Sequence, residues 1–337
     1  RTFFLDSVLE TNFDLFDFSK IDLKLQKVSN DKYLKSFNIK SPIISSQETL
    51  KSLISFEGNN DNLDFSLSSE IYNDLNKKKE SDKYEFIFPS FNISKNFETG
   101  LNGTLSMTNT AYNKLYQTNI NEKILINNII YTSMDSINKL GLVSNYEVFI
   151  KNFNSDSKNS EEYKNKTVNN FQGLLQFNSS YPLKKIGKKF DSTLTPIFNF
   201  KINPHPNKNI QNLSGIVDYT NIYSIDRIGS NDTLEGGESI TLGNEFKIFN
   251  KKNDEEIFGL NLATSFRDDK NEDLSLISSL GQKTSNIVGE MNLKNNEFIE
   301  FNYDFIADNN IGKFNYHKIK SNFKVNNFVT SFEFVEE

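Results

Sequence analysis

Polar and apolar residues alternate along this chain in segments of about ten residues, the length of a membrane-spanning β-strand. In residues 297–307 the apolar side chains would share one face of a strand and the polar side chains the other, because successive strand residues point in opposite directions. The apolar face would hold Ile299, Phe301, Tyr303 and Phe305, and the polar face would hold Glu300, Asn302 and Asp304. Residues 240–248 and 257–266 alternate in the same way. The pattern indicates strands that separate lipid from water.

About eighteen such segments can be counted, more than an open sheet usually holds without curling or splitting. The clearest are 21–27, 63–72, 84–94, 101–111, 140–151, 167–178, 192–203, 273–280, 285–293, 311–320 and 325–335. The predicted fold class is therefore all-β, an antiparallel up-and-down transmembrane β-barrel with roughly eighteen strands in this chain.

The connections between these segments are of two kinds. Asparagine pairs at 295–296, 309–310 and 326–327 predict tight turns. Residues 73–82, 152–166 and 204–218 read as long, hydrophilic loops. Short turns at one end of the strands and long loops at the other are typical of outer-membrane barrels.

Two prolines fall inside predicted strands. Pro89 and Pro196 have no N–H for the strand ladder, so each requires a bulge or an interruption of pairing.

The composition of the 337 residues agrees with such a barrel. Only 36% are hydrophobic, and the mean hydropathy is -0.54, which is polar for a helical membrane protein but suits strands with one wet face. Aromatic residues, which favour strands and membrane interfaces, are abundant, with 31 Phe and 13 Tyr but no Trp. The sequence shows neither an apolar run long enough for a transmembrane helix nor a secretory leader, so we expect a mature protein or an excised domain.

Several kinds of chemistry are disfavoured by the residue types present. The chain has no Cys and only two His, His205 and His317, and neither His has a motif around it. The net charge of -6 is spread along the chain and provides no basic stripe for nucleic acid. We therefore predict no enzymatic activity, no catalytic residues, no cofactor, no metal site and no nucleic-acid partner.

A polar row is the candidate site that the alternation itself provides. Residues on the wet side of the predicted strands would line the lumen of a barrel, where charges cost less than in lipid. The predicted lumen-lining residues are Glu245, Lys247, Glu300, Asn302 and Asp304.

A longer segment resembles a landmark of the LPS-assembly protein family LptD. It runs from Tyr219 to Ile228, continues through the loop residues and ends in the strand from Ser239 to Gly243. The residues that resemble the family's loop are Arg227, Asp232, Glu235, Gly236 and Gly237. In the family the first part is an aromatic-rich strand. The chain departs from the family pattern by having Ile228, Ser230 and Thr233 at positions where the family has an aromatic residue, a glycine and an arginine.

The resemblance implies a non-enzymatic translocation barrel in the cell outer membrane that inserts lipopolysaccharide into the outer leaflet. It implies as partners lipopolysaccharide, outer-membrane lipid, an LptE-like plug lipoprotein and an LptA-like periplasmic bridge protein. It also implies that residues 1–337 are a barrel domain incomplete at both ends, with an N-terminal periplasmic jelly-roll domain and the terminal seam strands outside this chain.

Two other interpretations remain open on the sequence alone. A general outer-membrane porin or receptor barrel would share the same composition, and an extracellular β-rich adhesin or binding sandwich would pack its Phe-rich faces together.

Overall fold

A computed structural model describes residues 2–39, 43–44, 46–213, 215–295, 298–325 and 328–336. Within these residues the chain forms eighteen β-strands and two short helices. The strands are β1 (Phe3–Thr11), β2 (Phe18–Lys27), β3 (Thr49–Asn60), β4 (Leu63–Asp74), β5 (Tyr84–Thr99), β6 (Gly103–Tyr116), β7 (Ile120–Ser133), β8 (Ser136–Ile137), β9 (Val143–Lys158), β10 (Val168–Ser180), β11 (Leu183–Ile186), β12 (Phe190–Asn203), β13 (Gly237–Asn250), β14 (Glu255–Arg267), β15 (Ile287–Asn295), β16 (Ile299–Ala307), β17 (Phe314–Val325) and β18 (Phe328–Glu336). The helices are α1 (Tyr33–Ser36) and α2 (Glu80–Lys83).

The chain divides into two compact units. Unit 1 comprises Arg1–Tyr131 and Ile150–Phe171, and unit 2 comprises Thr132–Phe149 and Gln172–Glu337. In unit 1 each strand from β1 to β6 pairs with the next in antiparallel register. In unit 2 each strand from β12 to β18 does the same. The all-β, antiparallel, up-and-down fold class predicted from the alternation is confirmed.

The strands of unit 2 bury their polar face and expose their apolar face. Asn199, Thr241 and Ser265 are neighbours in register on β12, β13 and β14, and at most 2% of each is exposed. On the opposite face Leu242 is 45% exposed and Phe266 is 38% exposed. This arrangement inverts that of a water-soluble sheet, whose apolar face is the buried one. It matches the lipid-facing wall of a barrel and does not fit a sandwich with packed apolar faces.

The first strands of unit 1 carry charge on one face. Asp6 pairs with Lys24 at 3.3 Å across β1 and β2, and Lys20 pairs with Glu57 at 3.1 Å across β2 and β3. The apolar residues Ile21, Phe56 and Leu67 lie in register on the opposite face of β2, β3 and β4.

Further along unit 1, asparagines form a ladder across β6, β7, β9 and β10. Asn109 donates to Asn127 at 2.5 Å, Asn127 donates to Asn152 at 3.1 Å, and Asn154 donates to Asn152 at 2.7 Å. Asn169 donates to Asn154 at 2.6 Å. Within β7 and β9 the intervening side chains are Ile124, Ile126 and Phe153, which are buried with Tyr163 from the connection after β9. Along this stretch the asparagines lie on the less buried face, and the buried face holds these apolar side chains together with Lys151 and Ser155.

Both strand prolines disturb the ladder as predicted. The register shifts between Ile87 and Ser90 in β5, around Pro89. Pairing of β10 with β12 ends at Ile197, and pairing of β11 with β12 begins at Leu194, so the interruption faces Pro196.

The turn predicted at Asn309 and Asn310 is confirmed. Asn296, Asn326 and Asn327 lie outside the described residues.

Three expectations are corrected. Residues 273–280 form no strand, because Leu274 and Leu280 are buried in the connection between β14 and β15. The segment from 219 to 228, expected as a strand from the family resemblance, consists of turns. Residues 152–158 belong to β9 rather than to a loop, because their polar positions join the asparagine ladder while Phe153 is buried.

Candidate functional site

The connection between β12 and β13 lies over the polar face of unit 2. We call it the covering loop; it is described for residues 204–213 and 215–236. Polar side chains from β12, β13 and β14 contact it from below. A strand face that is polar and buried needs partners for its hydrogen-bonding groups, and the covering loop supplies them.

Arg227 anchors the covering loop through a forked pair of hydrogen bonds. Its Nε and Nη2 donate to the two carboxylate oxygens of Glu235, each at 2.6 Å. Its guanidinium also donates to Ser239 at 2.9 Å, Thr241 at 3.1 Å and Ser265 at 3.2 Å. The Arg227 side chain has no exposure, so this is a fully buried, two-pronged ion pair joined to two strands.

Glu235 accepts hydrogen bonds from a second arginine as well as from Arg227. Arg267, at the end of β14, donates through Nη1 to Glu235 at 2.5 Å and through Nη2 to the carbonyl of Gly236. Burial favours the neutral acid and so raises the pKa of Glu235, but the positive charge and hydrogen bonds of Arg227, with the charges of Lys201 and Arg267, outweigh it and hold the pKa at about 2. Glu235 therefore stays ionised at any physiological pH.

Three further strand residues hold the backbone of the covering loop. Lys201, which is 2% exposed, donates from Nζ to the carbonyl of Ser224. Gln172 accepts from the amide of Leu234 at 2.6 Å, and Asn203 donates to the carbonyl of Glu235 at 3.0 Å. The covering loop is thus bound both by charge and by ordinary hydrogen bonds.

Glycines allow the close approach of the covering loop to the strands. A Cβ on Gly236 would lie 2.7 Å from the amide nitrogen of Asn207, and Gly237 has a φ of +84°, which favours glycine. At Gly243 on β13 a Cβ would collide with the hydroxyl of Tyr223.

The family-like loop residues do not all meet. Arg227, Glu235 and Gly236 come together in the buried cluster, and Gly237 follows them directly. Asp232 is separate: it pairs with Lys208 and accepts from Ser230 at 2.9 Å. Asp232 therefore holds a different part of the covering loop.

Thr233, where the chain departs from the family pattern, is fully buried. Its hydroxyl accepts from the amide of Lys208 at 3.0 Å and donates to Gln172 at 3.2 Å. The hydroxyl thus links two parts of the covering loop to β10.

An apolar cluster completes the attachment of the covering loop. Ile222 is fully buried among Ala263, Val288 and Ile306, which lie on the same strand face as the polar row. Leu274 and Leu280, from the connection between β14 and β15, join this cluster. Two connections of unit 2 therefore pack onto one face of its sheet.

The predicted lumen-lining residues all lie on this polar face. One row in register runs Glu245, Asn261, Glu290, Asp304 and Lys318, and the next runs Lys247, Gly259, Asn292, Asn302 and Lys320. Glu300 lies one step further along β16 and accepts from Asn322 at 3.3 Å. Glu245 accepts from the hydroxyl of Tyr219 at 3.1 Å, which links the row to the covering loop. The structure thus places the five residues on one surface of mixed charge and leaves their role a prediction.

Four residues of the site were not predicted from the sequence: Lys201, Arg267, Gln172 and Gln176. Gln176, on β10, donates to the carbonyl of Tyr223 in the covering loop at 3.0 Å. The alternation in β12 and β14 places Lys201 and Arg267 on the wet face, so this signal was present. Their partners in the covering loop could not be identified, because those partners lie in a segment with no regular pattern.

Two cavities open beside the covering loop within unit 2. The larger, about 800 Å³, is lined by His205, Asn207, Asp268, Asp269 and Glu272, among others. The smaller, about 380 Å³, is lined by residues of β9 and β10 and by residues 223–225 of the covering loop. The other histidine, His317, shares a hydrogen bond of 2.6 Å with the Tyr303 hydroxyl.

In the part of the chain that the structure describes, no group of three His, Cys, Asp or Glu residues could hold a metal ion. None of the described helices has the length and apolarity needed to cross a membrane.

Comparison with known proteins shows that the chain matches a family model. The family model LptD, described as LPS transport system D, matches residues 8–334. A search of curated proteins found no match.

Proposed function

The chain belongs to the LptD family of the LPS transport system, and from this premise we propose that it forms part of a translocation barrel that receives lipopolysaccharide from the periplasm and inserts it into the outer leaflet. The family acts in lipopolysaccharide transport at the outer membrane. The proposal concerns how this chain takes part: the sugar head group would follow the polar face of unit 2, while the acyl chains remain in an apolar environment.

The observation that carries this proposal is the inverted burial of unit 2. Its polar face has a row of charged and amide side chains partly covered by a loop, and its apolar face is exposed. A head group rich in hydroxyl and charged groups requires a polar path, because burying such groups without partners is costly. The covering loop, bound through Arg227 and Glu235, lies on that path and would act as its gate.

No bond is broken in this process, so we propose that the protein is not an enzyme.

The family resemblance also leads us to propose the partners and the missing parts. We propose an LptE-like lipoprotein as the plug and an LptA-like protein as the periplasmic bridge. We further propose that the jelly-roll domain and the seam strands lie in the complete protein outside residues 1–337.

The proposal is tested by depleting the complete protein in its own cell and measuring newly made lipopolysaccharide at the surface. We expect surface delivery to stop and lipopolysaccharide to accumulate inside. Continued delivery, with ion conductance by the purified protein in a bilayer, would identify a porin or receptor instead.

Residue-level support comes from complementation. Complete protein with Glu245→Lys, Glu300→Lys and Asp304→Lys together should restore delivery poorly, since three negative charges of the polar face become positive. Glu161→Lys, at an exposed position in the connection after β9 of unit 1, is the control and should restore delivery fully. Normal export by the triple variant would contradict the role proposed for the polar face.

A further inference from the structure

The smaller cavity of unit 2 has a composition different from that of the rest of the polar face. We call this 380 Å³ cavity the amide niche, and its size is within the range of small-ligand pockets. Asn145, Glu147, Gln176 and Asn178 line its strand side, and Tyr223 lines the side of the covering loop. The niche therefore lies between the strands and the underside of the loop.

The amide groups of the niche form one connected network. Gln176 donates to Glu147 at 2.7 Å and to Asn178 at 3.1 Å, and Asn178 donates to Asn145 at 2.8 Å. Asn145 in turn donates to Asp135 at 2.7 Å. Planar amides and carboxylates fixed in this way present donors and acceptors at set angles, which is the chemistry that hydroxyl groups of a sugar ring require.

Gln176 has unused capacity within this network. Its side chain is 1% exposed, yet its Oε1 has no hydrogen-bond partner among the described residues. Its Nε2 carries two hydrogens but lies within hydrogen-bond distance of three acceptors, because the carbonyl of Tyr223 is also 3.0 Å away. A buried amide with a free acceptor and a shared donor is unfavourable unless a ligand or water completes it.

The charges of the niche select among possible ligands. Its charged lining residues are Asp135 and Glu147, and no lysine or arginine lines it within the described chain. Lys201 is beside Gln176 in register, but its ammonium group is directed to the Ser224 carbonyl. A phosphate would meet two carboxylates, whereas a neutral sugar could donate hydroxyl hydrogens to them and to Gln176 Oε1.

We propose that the amide niche is a binding site for a neutral, phosphate-free saccharide unit, and that its occupation loosens the covering loop. The second part follows from Gln176, a lining residue of the niche whose amide nitrogen also donates to the Tyr223 carbonyl. A sugar oxygen that accepts from Nε2 replaces this contact, so binding weakens the attachment of residues 223–225. This inference rests on the proposed function, since it makes the sugar part of the transported lipid the signal for opening the gate.

The test uses the complete protein in detergent, with maltotriose as the neutral saccharide and inorganic phosphate as the competing anion. Saturation-transfer NMR measures binding, and amide hydrogen exchange of residues 222–236 reports the covering loop. Gln176→Met removes the hydrogen-bonding amide at nearly unchanged volume. Gln282→Met is the matched control, because Gln282 is exposed in the connection between β14 and β15 and does not line the niche.

We expect maltotriose to bind the unsubstituted protein and Gln282→Met alike, and to bind Gln176→Met about tenfold more weakly, the effect of losing a favourable hydrogen bond. We also expect saturating maltotriose to speed exchange of the covering loop in the unsubstituted protein, and phosphate to leave binding unchanged. Equal binding by Gln176→Met, displacement by phosphate, absence of binding or an unaffected loop would each overturn the inference. These results would leave the proposed function standing, because that function is judged by surface delivery of lipopolysaccharide.

Discussion

Replacement of Arg227 by methionine should release the covering loop from the strands. The substitution removes both hydrogen bonds to Glu235, at 2.6 Å each, and the bonds to Ser239, Thr241 and Ser265. It leaves the buried Glu235 with Arg267 as its remaining ion-pair partner. Breaking a buried ion pair by removing one partner costs about 3–5 kcal/mol. Since about 1.4 kcal/mol corresponds to a factor of ten, the closed state of the loop should become less favoured by roughly two to four powers of ten.

Hydrogen exchange of the loop amides measures this change directly. The amides of Leu234 and Gly236, which are bound to Gln172 and Asn207, should exchange faster by the same factor, up to the limit set by full opening. Amides within the ladder between β13 and β14 should keep their protection, which shows that the strands remain folded.

A matched substitution in the same loop separates burial from charge. Lys208→Met also removes an ion pair, that with Asp232, but the Lys208 side chain is 43% exposed. Exposed ion pairs contribute about 0–1 kcal/mol, so exchange should rise less than about fivefold. Unchanged protection of Leu234 and Gly236 in Arg227→Met, or an equally large effect of Lys208→Met, would contradict this prediction.

The remaining predictions concern the fit, charge and environment of the same unit. Gly243→Ala should displace the Tyr223 hydroxyl at a cost of about 1–3 kcal/mol. Tyr223→Ala should relieve only part of this cost in the double variant, because the added Cβ also lies 2.7 Å from the Leu262 carbonyl oxygen. Equal thermal stability of Gly243→Ala and the unsubstituted protein would contradict this. Because the pKa of Glu235 is lowered from 4.5 to about 2, its contribution to the stability of the closed covering loop should be complete above pH 4.5 and be lost as the pH falls toward 2. Exchange of the loop amides, measured from pH 6 to 3, checks this. Loosening of the loop already at pH 5.5 would count against it. Leu242→Lys on the exposed apolar face should destabilise the protein in a bilayer by about 2–4 kcal/mol, whereas Leu276→Lys, in the connection between β14 and β15, should not. Reversible unfolding in lipid vesicles measures the stability of both variants. Similar values for the two would contradict contact of the apolar face with lipid.

The sequence predicts the strands and their faces because both depend on local alternation. Glu245, Asn302 and Asp304 were assigned to one surface from the two-residue period, and their registers place them on one surface. The same rule fails at 273–280, where alternating leucines belong to a packed connection rather than to a strand. Alternation predicts on which face of a strand a residue lies, but it does not show whether the segment pairs with a neighbouring strand.

Only part of the buried cluster around Arg227 and Glu235 could be predicted from the sequence. Arg227 and Glu235 were identified through the family resemblance, which marks a loop but not its contacts. Arg267 and Lys201 complete the cluster from β14 and β12, and their contacts depend on how the covering loop folds back over the strands. Such contacts between an irregular segment and distant strands leave no periodic signal in a single sequence.

The central claim is that lipopolysaccharide passes along the polar face of unit 2, and site-specific photo-crosslinking tests it most directly. A photoreactive residue would replace Asn302 on the polar face of the complete protein, or Phe198 on the exposed apolar face as the reference, and newly made lipopolysaccharide would be pulse-labelled in the cell. We predict that crosslinks from position 302 form during the pulse and disappear during the chase, while those from position 198 appear later and persist. Absence of a transient crosslink from position 302, in cells that deliver lipopolysaccharide normally, would contradict the account.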